Sequence, residues 1–416
     1  MSVANYLSRA GASVRQMAWF TPERGRMYSV AALICLAAIV ACQFLLEGFY
    51  RHGKLRYGWD FACFWEASRL ALAGPASSPY NLAQLGSFEA TILPPGTYLP
   101  FLYPPPFLLL CLPLALLPFV ASLALFLGAT VAAFGAAIYR ATGSRWIVLA
   151  ALGMPAVLGG VDAGQNSLLT AAILGGGLAL MDRRPRLSGL ILGLMVIKPQ
   201  LALAVPFALV FSRRWVVLLF AAVSALGMLA LSTLVLGVAV WPAFIAGSKI
   251  ARFMLEDPPA LADWRFESAF GWARELGATV PLAYAIQLLL IIGGLGLLWR
   301  AQARGVAAGV ERALIVLVCL FATPYLVDYD LVLMAFPLAW LLSEWSRGGF
   351  PPWGKLMLLI AYVLPIAPLM KHSVPNLWLG GTLLLFAYVI WTEQRRPAAL
   401  VTPLATPQCS SAQPLS

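Results

Sequence analysis

WVVLLFAAVSALGMLALSTLVLG, residues 215–237, holds no charged side chain and follows directly on Arg213 and Arg214. An apolar run of this length is what a helix needs to cross the roughly 30 Å hydrocarbon core of a bilayer. Comparable runs occupy 27–46, 120–139, 146–159, 166–181, 187–211, 281–299, 312–326, 327–342, 354–370 and 375–391. A further run, 103–119, is broken by Pro104, Pro105, Pro106, Pro113 and Pro118. With 61% hydrophobic and 11% charged residues, lipid is the solvent for most of this chain. The expected fold class is an all-α polytopic membrane protein, a bundle of about 11–13 membrane segments. Several runs are too short for a straight crossing, and such pieces persist only where protein or a wet cavity satisfies the freed backbone groups.

The net charge of +11 does not point to nucleic acid, because the basic residues sort by side. If the N-terminus is cytoplasmic and 103–119 dips in or lies at the interface without a net crossing, most Arg and Lys residues fall on the inner face. Arg24, Arg140, Arg184, Arg214, Arg304 and Arg395 are among them, as the positive-inside rule requires. This gives a cytoplasmic segment 1–26, a transmembrane domain 27–391 with external loops 47–102 and 238–280, and a disordered cytoplasmic tail 392–416 rich in Pro, Ser, Thr and Ala. Both termini then face the cytoplasm of a bacterial inner membrane. Cys63 is the one thiol in an external loop, and no Cys/His spacing suggests a metal.

With that topology the polar residues that solubility does not explain converge on the outer side. Asp60 begins the segment Asp60-Phe61-Ala62-Cys63-Phe64-Trp65-Glu66, where Phe61, Phe64, Trp65 and Leu72 fall on one face of a helix and Ala62, Glu66, Arg69 and Ala73 on another. That is the pattern of an amphipathic helix on a membrane surface. Asp60 either caps this helix or serves as a general base at the water–lipid boundary. Asp162, Gln165 and Asn166 form a turn with Asn166 as N-cap, or an amide and carboxylate set for a sugar. Lys198 before Pro199 snorkels to the interface, or pairs with a lipid phosphate. Tyr325, Asp328, Tyr329 and Asp330 make a polar hairpin tip, a cation site, or a surface where carboxylates bond sugar hydroxyls and tyrosines stack on the ring. Tyr103-Pro104-Pro105-Pro106 bends the chain where it enters the membrane. Lys371 joins these outer polar residues, and Arg274 belongs to a charged and aromatic mix in 238–280 that suits a glycan or lipid head group.

These residues give the chain a resemblance to glycosyltransferase family 87. Asp60 to Arg69 followed by Gly74 and Pro79-Tyr80 resembles the family's first-loop signature. Tyr103-Pro104-Pro105 leading to Leu114–Pro118 is similar to its second, Gly164-Gln165-Asn166 to its third, and Gly189 to Gly193 with Lys198-Pro199 to its fourth. The resemblance implies a GT-C fold and inverting transfer of a hexose, mannose foremost, from a polyprenyl-phosphate-linked sugar donor to a lipid or glycan acceptor. It implies no nucleotide and no cofactor. It places the catalytic carboxylate on Asp60, the donor phosphate on Lys198, Arg274 or Lys371, and the sugar among Asp162, Gln165, Asn166, Tyr325, Asp328, Tyr329 and Asp330. Where characterised mannosyltransferases of the family carry histidine near the late outer segment, this chain reads Tyr325-Leu326-Val327-Asp328-Tyr329-Asp330. The alternative reading is a transporter or flippase for a lipid-linked or small anionic substrate, which broken helices and ionisable groups at membrane depth also suit.

Overall fold

The computed structural model describes residues 13, 15–47, 50–51, 54–55, 57–93, 99–257, 266–366 and 377–395. Lys371 and nearly all of the 392–416 tail lie outside these. The described chain is a membrane protein of helices, save a two-residue antiparallel ladder of Tyr50–Arg51 with Lys54–Leu55 and one isolated bridge. Four helices are long and apolar enough to cross a bilayer by themselves: α1 (Pro22–Glu47), α5 (Phe119–Thr142), α11 (Trp215–Leu236) and α14 (Val280–Ala303). The pair α6 (Arg145–Leu152) and α7 (Pro155–Ala163) is bent by 61° at its break and makes a fifth candidate.

The rest are shorter. α2 (Trp59–Ala73) and α3 (Leu82–Ile92) follow α1. α4 (Pro105–Cys111) continues as a 3₁₀ turn over Leu112–Leu116. Together these last two are roughly 20 Å long, shorter than the roughly 30 Å hydrocarbon core of a bilayer. α8 (Ser167–Leu180), α9 (Pro185–Gly193) and α10 (Ala204–Phe211) precede α11, while α12 (Val240–Glu256) and α13 (Ala269–Glu275) come between α11 and α14. α15 (Ala308–Ala322), α16 (Ala335–Gly348), α17 (Gly354–Val363) and α18 (Leu377–Arg395) complete the order.

Burial sorts these helices. α15 is buried on every side from Ala313 to Ala322, which marks the centre of the bundle. α11 exposes Leu219, Val223, Leu226 and Leu234 to its surroundings. That apolar face belongs against lipid tails rather than water. The Gly189 and Gly193 of the fourth signature are packing glycines. A Cβ on Gly189 would come 2.4 Å from the Val217 carbonyl, and one on Gly193 would come 2.3 Å from the Ala221 carbonyl. Two small residues four apart therefore let α9 lie backbone against backbone on α11.

Charged groups collect at one end of the bundle. Arg214 and Arg312 both bond Asp182, and Arg214 Nη2 bonds Glu311 Oε2 at 2.8 Å, while Gln302 donates to Glu311 at 2.8 Å. α8 and α15 each begin or end beside this network and run to the other end, about 20 Å away at 1.5 Å per residue. Asp60, Gln165, Asn166, Lys198, Asp328 and Asp330 lie at that other end.

Candidate functional site

The site is built where α2 meets the turn between α7 and α8. α2 starts at Gly58, whose φ of 68° is left-handed, and α7 ends at Gly164, also at φ 68°. Gly164 closes a helix-ending turn in which the Gln165 amide returns to the Gly160 carbonyl at 2.9 Å. The Gly58 amide donates to the Asp162 carbonyl at 2.8 Å, locking the two turns together. Any Cβ on Gly164 would stand 2.6 Å from Phe61 Cβ and 3.1 Å from Gly58 Cα. Below this joint Phe61 packs on Phe119 and Phe126, and Phe64 on Tyr103 and Phe107, with ring centroids 4.9–5.6 Å apart.

That docking brings Asp60 and Gln165 together. Gln165 Nε2 donates to Asp60 Oδ2 at 3.0 Å. Gln165 Oε1 in turn accepts from the Tyr103 hydroxyl and from the Asn166 backbone amide, each at 2.8 Å. The capping alternative for Asp60 fails here, because the carboxylate takes no cap bond and the Gly58 position starts the helix. Asp60 is half-buried with protein packed densely around it. Loss of hydration raises its pKa to about 7, against the Gln165 hydrogen bond that lowers it; Asp328 and Asp330 add to the rise and Lys198 opposes it.

Lys198 reaches the same place from α10's side. Pro199 disfavours a helical conformation at the residue before it, so two 3₁₀ turns, Leu194–Ile197 and Pro199–Ala202, meet at an extended Lys198. Its ammonium bonds Asp330 Oδ1 at 2.6 Å and lies 5.0 Å from the Tyr329 ring centre and 5.8 Å from that of Tyr103. Lys198 is 3% exposed and Asp330 1%, so the lysine does not snorkel to the surface. Asp328 and Asp330 sit on a 3₁₀ helix, Asp328–Met334, packed on α7 and α8. The extended residue before it, Val327, bridges to Phe266, and Glu267 N–H donates to the Leu326 carbonyl at 2.8 Å, so the residues just before α13 lie against this segment. Tyr325 stands edge-on to Phe266 at 4.9 Å. Gln165, Asn166, Lys198, Asp328 and Asp330 are buried, whereas Asp60, Tyr103, Tyr325 and Tyr329 stay partly exposed and form the rim.

Other expectations divide. Asp162 is part of the joint through its backbone. Asn166 precedes α8 but makes no side-chain cap, and both of its amide atoms are buried without a partner, as are Ser167 Oγ and Asp330 Oδ2. Arg274 donates to the carbonyls of Ala278 and Glu256 at 2.6 and 3.0 Å, closing the end of α12. Among the described residues no hydrogen bond or ion pair joins it to Lys198 or Asp60. Lys371 lies outside the described residues. Tyr103, which the sequence offers as part of a bend and of the second signature but not as a site residue, is brought to the site by its bond to Gln165. An aromatic hydroxyl ahead of three prolines carries no signal of its partner. Among the described residues no group of three or more His, Cys, Asp or Glu side chains is arranged to hold a metal ion.

The α2 helix also differs from a surface-lying one. Ala62 and Glu66, on the face expected to meet water, are fully buried, while Arg69 is exposed. α3 and the segment at Leu99 cover that face: Glu89 Oε2 accepts from Leu99 N–H at 3.1 Å, and the Leu99 carbonyl accepts from the Cys63 thiol at 3.2 Å. Cys63, the one thiol expected in an external loop, is therefore buried.

The sequence profile of glycosyltransferase family 87 matches residues 101–328, more than half of the chain. The chain belongs to glycosyltransferase family 87. No curated protein and no solved structure matches it. The glycosyltransferase profile takes in Tyr103, Gln165, Asn166 and Lys198 and ends on Asp328. Asp60 lies ahead of the matched region and joins this glycosyltransferase core through tertiary contact, by way of Gln165.

Proposed function

We propose that this glycosyltransferase moves a hexose, mannose in the first instance, from a polyprenyl-phosphate sugar to a lipid or glycan acceptor at the outer face of a bacterial inner membrane. The observation that carries this reading is a half-exposed carboxylate, Asp60, gripped through one oxygen by Gln165 beside a buried Lys198. Asp60 takes the proton of the acceptor hydroxyl as that oxygen attacks the anomeric carbon from the face opposite the phosphate. The bond from that carbon to the phosphate oxygen breaks with inversion, and the lipid phosphate leaves carrying the electron pair. A carboxyl with a pKa near 7 suits a base working at neutral pH.

Among the described residues Lys198 is the cation whose charge acts on Asp60. It is already neutralised by Asp330, so a donor phosphate would share it rather than claim it alone. Positioned charges and backbone donors stabilise such a leaving group without a nucleotide. The unpartnered amide of Asn166, Ser167 Oγ and Asp330 Oδ2 offer hydrogen bonds to sugar hydroxyls, since buried polar atoms are seldom left unmatched. Tyr325, Tyr329 and Asp328 complete the sugar surface. The gathering of Arg214, Arg312 and Asp182 at the opposite end supports placing that end in the cytoplasm.

The rival reading, a transporter or flippase of a lipid-linked or small anionic substrate, draws on the 61° break between α6 and α7. One assay separates the two. Purified wild-type and Asp60→Asn proteins in nanodiscs are offered radiolabelled polyprenyl-phosphate hexoses with total membrane lipid as acceptor. Label should enter a new product with the wild type and fall about 10²–10⁴-fold with the variant. Donor binding without transfer by folded wild-type protein would favour the transporter.

A further inference from the structure

We infer that Gln165 is a positioning residue for Asp60, an amide locked in one orientation that holds one carboxylate oxygen and leaves the other to receive the acceptor's proton. The inference rests on Asp60 acting as the base, and assigns Gln165 to the carboxylate rather than to the sugar.

The orientation of the amide follows from its partners. Gln165 Oε1 accepts from the Asn166 backbone N–H, a group that can only donate, and from the Tyr103 hydroxyl, both at 2.8 Å. Rotating the amide by half a turn would set its NH₂ against that N–H, donor facing donor. Its NH₂ must therefore point at Asp60 Oδ2, 3.0 Å away. Gln165 is 2% exposed, so solvent does not offer its amide an alternative set of partners. Among the described residues no hydrogen bond is made to Asp60 Oδ1. The carboxylate is thus split into a held oxygen and an open one.

The clamp is anchored on both sides. The Tyr103 backbone carbonyl accepts from the Tyr80 hydroxyl at 3.0 Å, and its ring packs 4.5 Å from that of Phe107. Gln165 itself follows the left-handed Gly164. A hydrogen bond donated to the ionised carboxylate favours ionisation, so the clamp opposes the rise that burial imposes. The other groups facing Asp60 are the charges of Lys198, Asp328 and Asp330, the hydroxyls of Tyr103, Tyr325 and Tyr329, and the Cys63 thiol. Removing the Gln165 amide leaves these in place.

The test has a readout that needs no turnover. The Asp60 carboxyl is followed by infrared titration of the protein in nanodiscs, its band identified by subtracting Asp60→Asn. In Gln165→Ala the midpoint should move up by about one pH unit. Tyr103→Phe, which keeps the ring packing and serves if the first variant is unstable, should move it the same way by less. In the transfer assay Gln165→Ala should lower kcat about 10–100-fold while the donor KM stays within about twofold. An unmoved midpoint in both variants, or a raised KM with kcat retained, would overturn the inference and return Gln165 to the sugar. Wild-type turnover by Asp60→Asn would sink the base instead, and the titration would still report whether Gln165 holds the carboxylate.

Discussion

Gly58 and Gly164 meet with both backbones in the left-handed region, and a Cβ on the second would stand 3.1 Å from the Cα of the first. This contact sets the distance between Asp60 and Gln165. Gly164→Ala would place a side chain in a conformation that costs about 1–3 kcal/mol and drive it into Phe61, 2.6 Å away. We expect a lower unfolding temperature together with a loss of transfer that exceeds the loss of folded protein. A variant with wild-type melting and turnover would show that the joint does not position the pair.

Asp60, with its pKa raised to about 7 by burial, makes activity depend on pH in one direction. A base works ionised, so kcat/KM should climb as pH rises through about 7 and level off above it. A profile already flat at pH 5 would mean that some other group takes the proton.

Lys198 and Asp330 form a pair shielded from solvent at 4% and 1% side-chain exposure. Removing one partner strands the other charge, at a cost of about 3–5 kcal/mol, whereas removing both together with apolar replacements is often nearly neutral. Lys198→Met should therefore be markedly less stable than Lys198→Met combined with Asp330→Leu, and both should be inactive if Lys198 holds the phosphate. Thermal melts with transfer assays on the same preparations would separate the two roles. Turnover retained by the double variant would remove Lys198 from the donor site.

Glu66 and Glu89, both buried where α2 meets α3, have pKa values raised to about 8 and about 7, chiefly by loss of hydration, with the Glu89 charge adding to the rise at Glu66. A folded-state pKa above the unfolded one means the fold binds the extra protons. Their stabilising contribution is complete below about pH 4.5 and is lost as pH rises toward 8. Glu66→Gln, which mimics the neutral form, should melt higher than wild type at pH 8.5 and alike at pH 5. A constant difference at both values would show that Glu66 does not titrate with folding.

These residues also show how far the sequence could be read. The charge-free run 215–237 and its companions reported a lipid solvent, because partition between water and hydrocarbon depends on composition along a short stretch. An expected orientation was legible for the same local reason, in the basic loops. Asp60, Gln165, Lys198 and Asp330 were each visible as polar residues out of place. Their partners were not. Asp60 and Gln165 are 105 residues apart, and Lys198 and Asp330 are 132 apart, so no periodicity links them.

Helical spacing assigned Glu66 to water, since it records which residues share a face but not what covers that face. Here α3 and Leu99 cover it. What the sequence alone determined was the solvent of each segment and the chemistry each side chain could offer. Only the tertiary structure decided which groups meet, because that depends on close backbone approach at Gly58 and Gly164 and on packing between helices far apart in the chain.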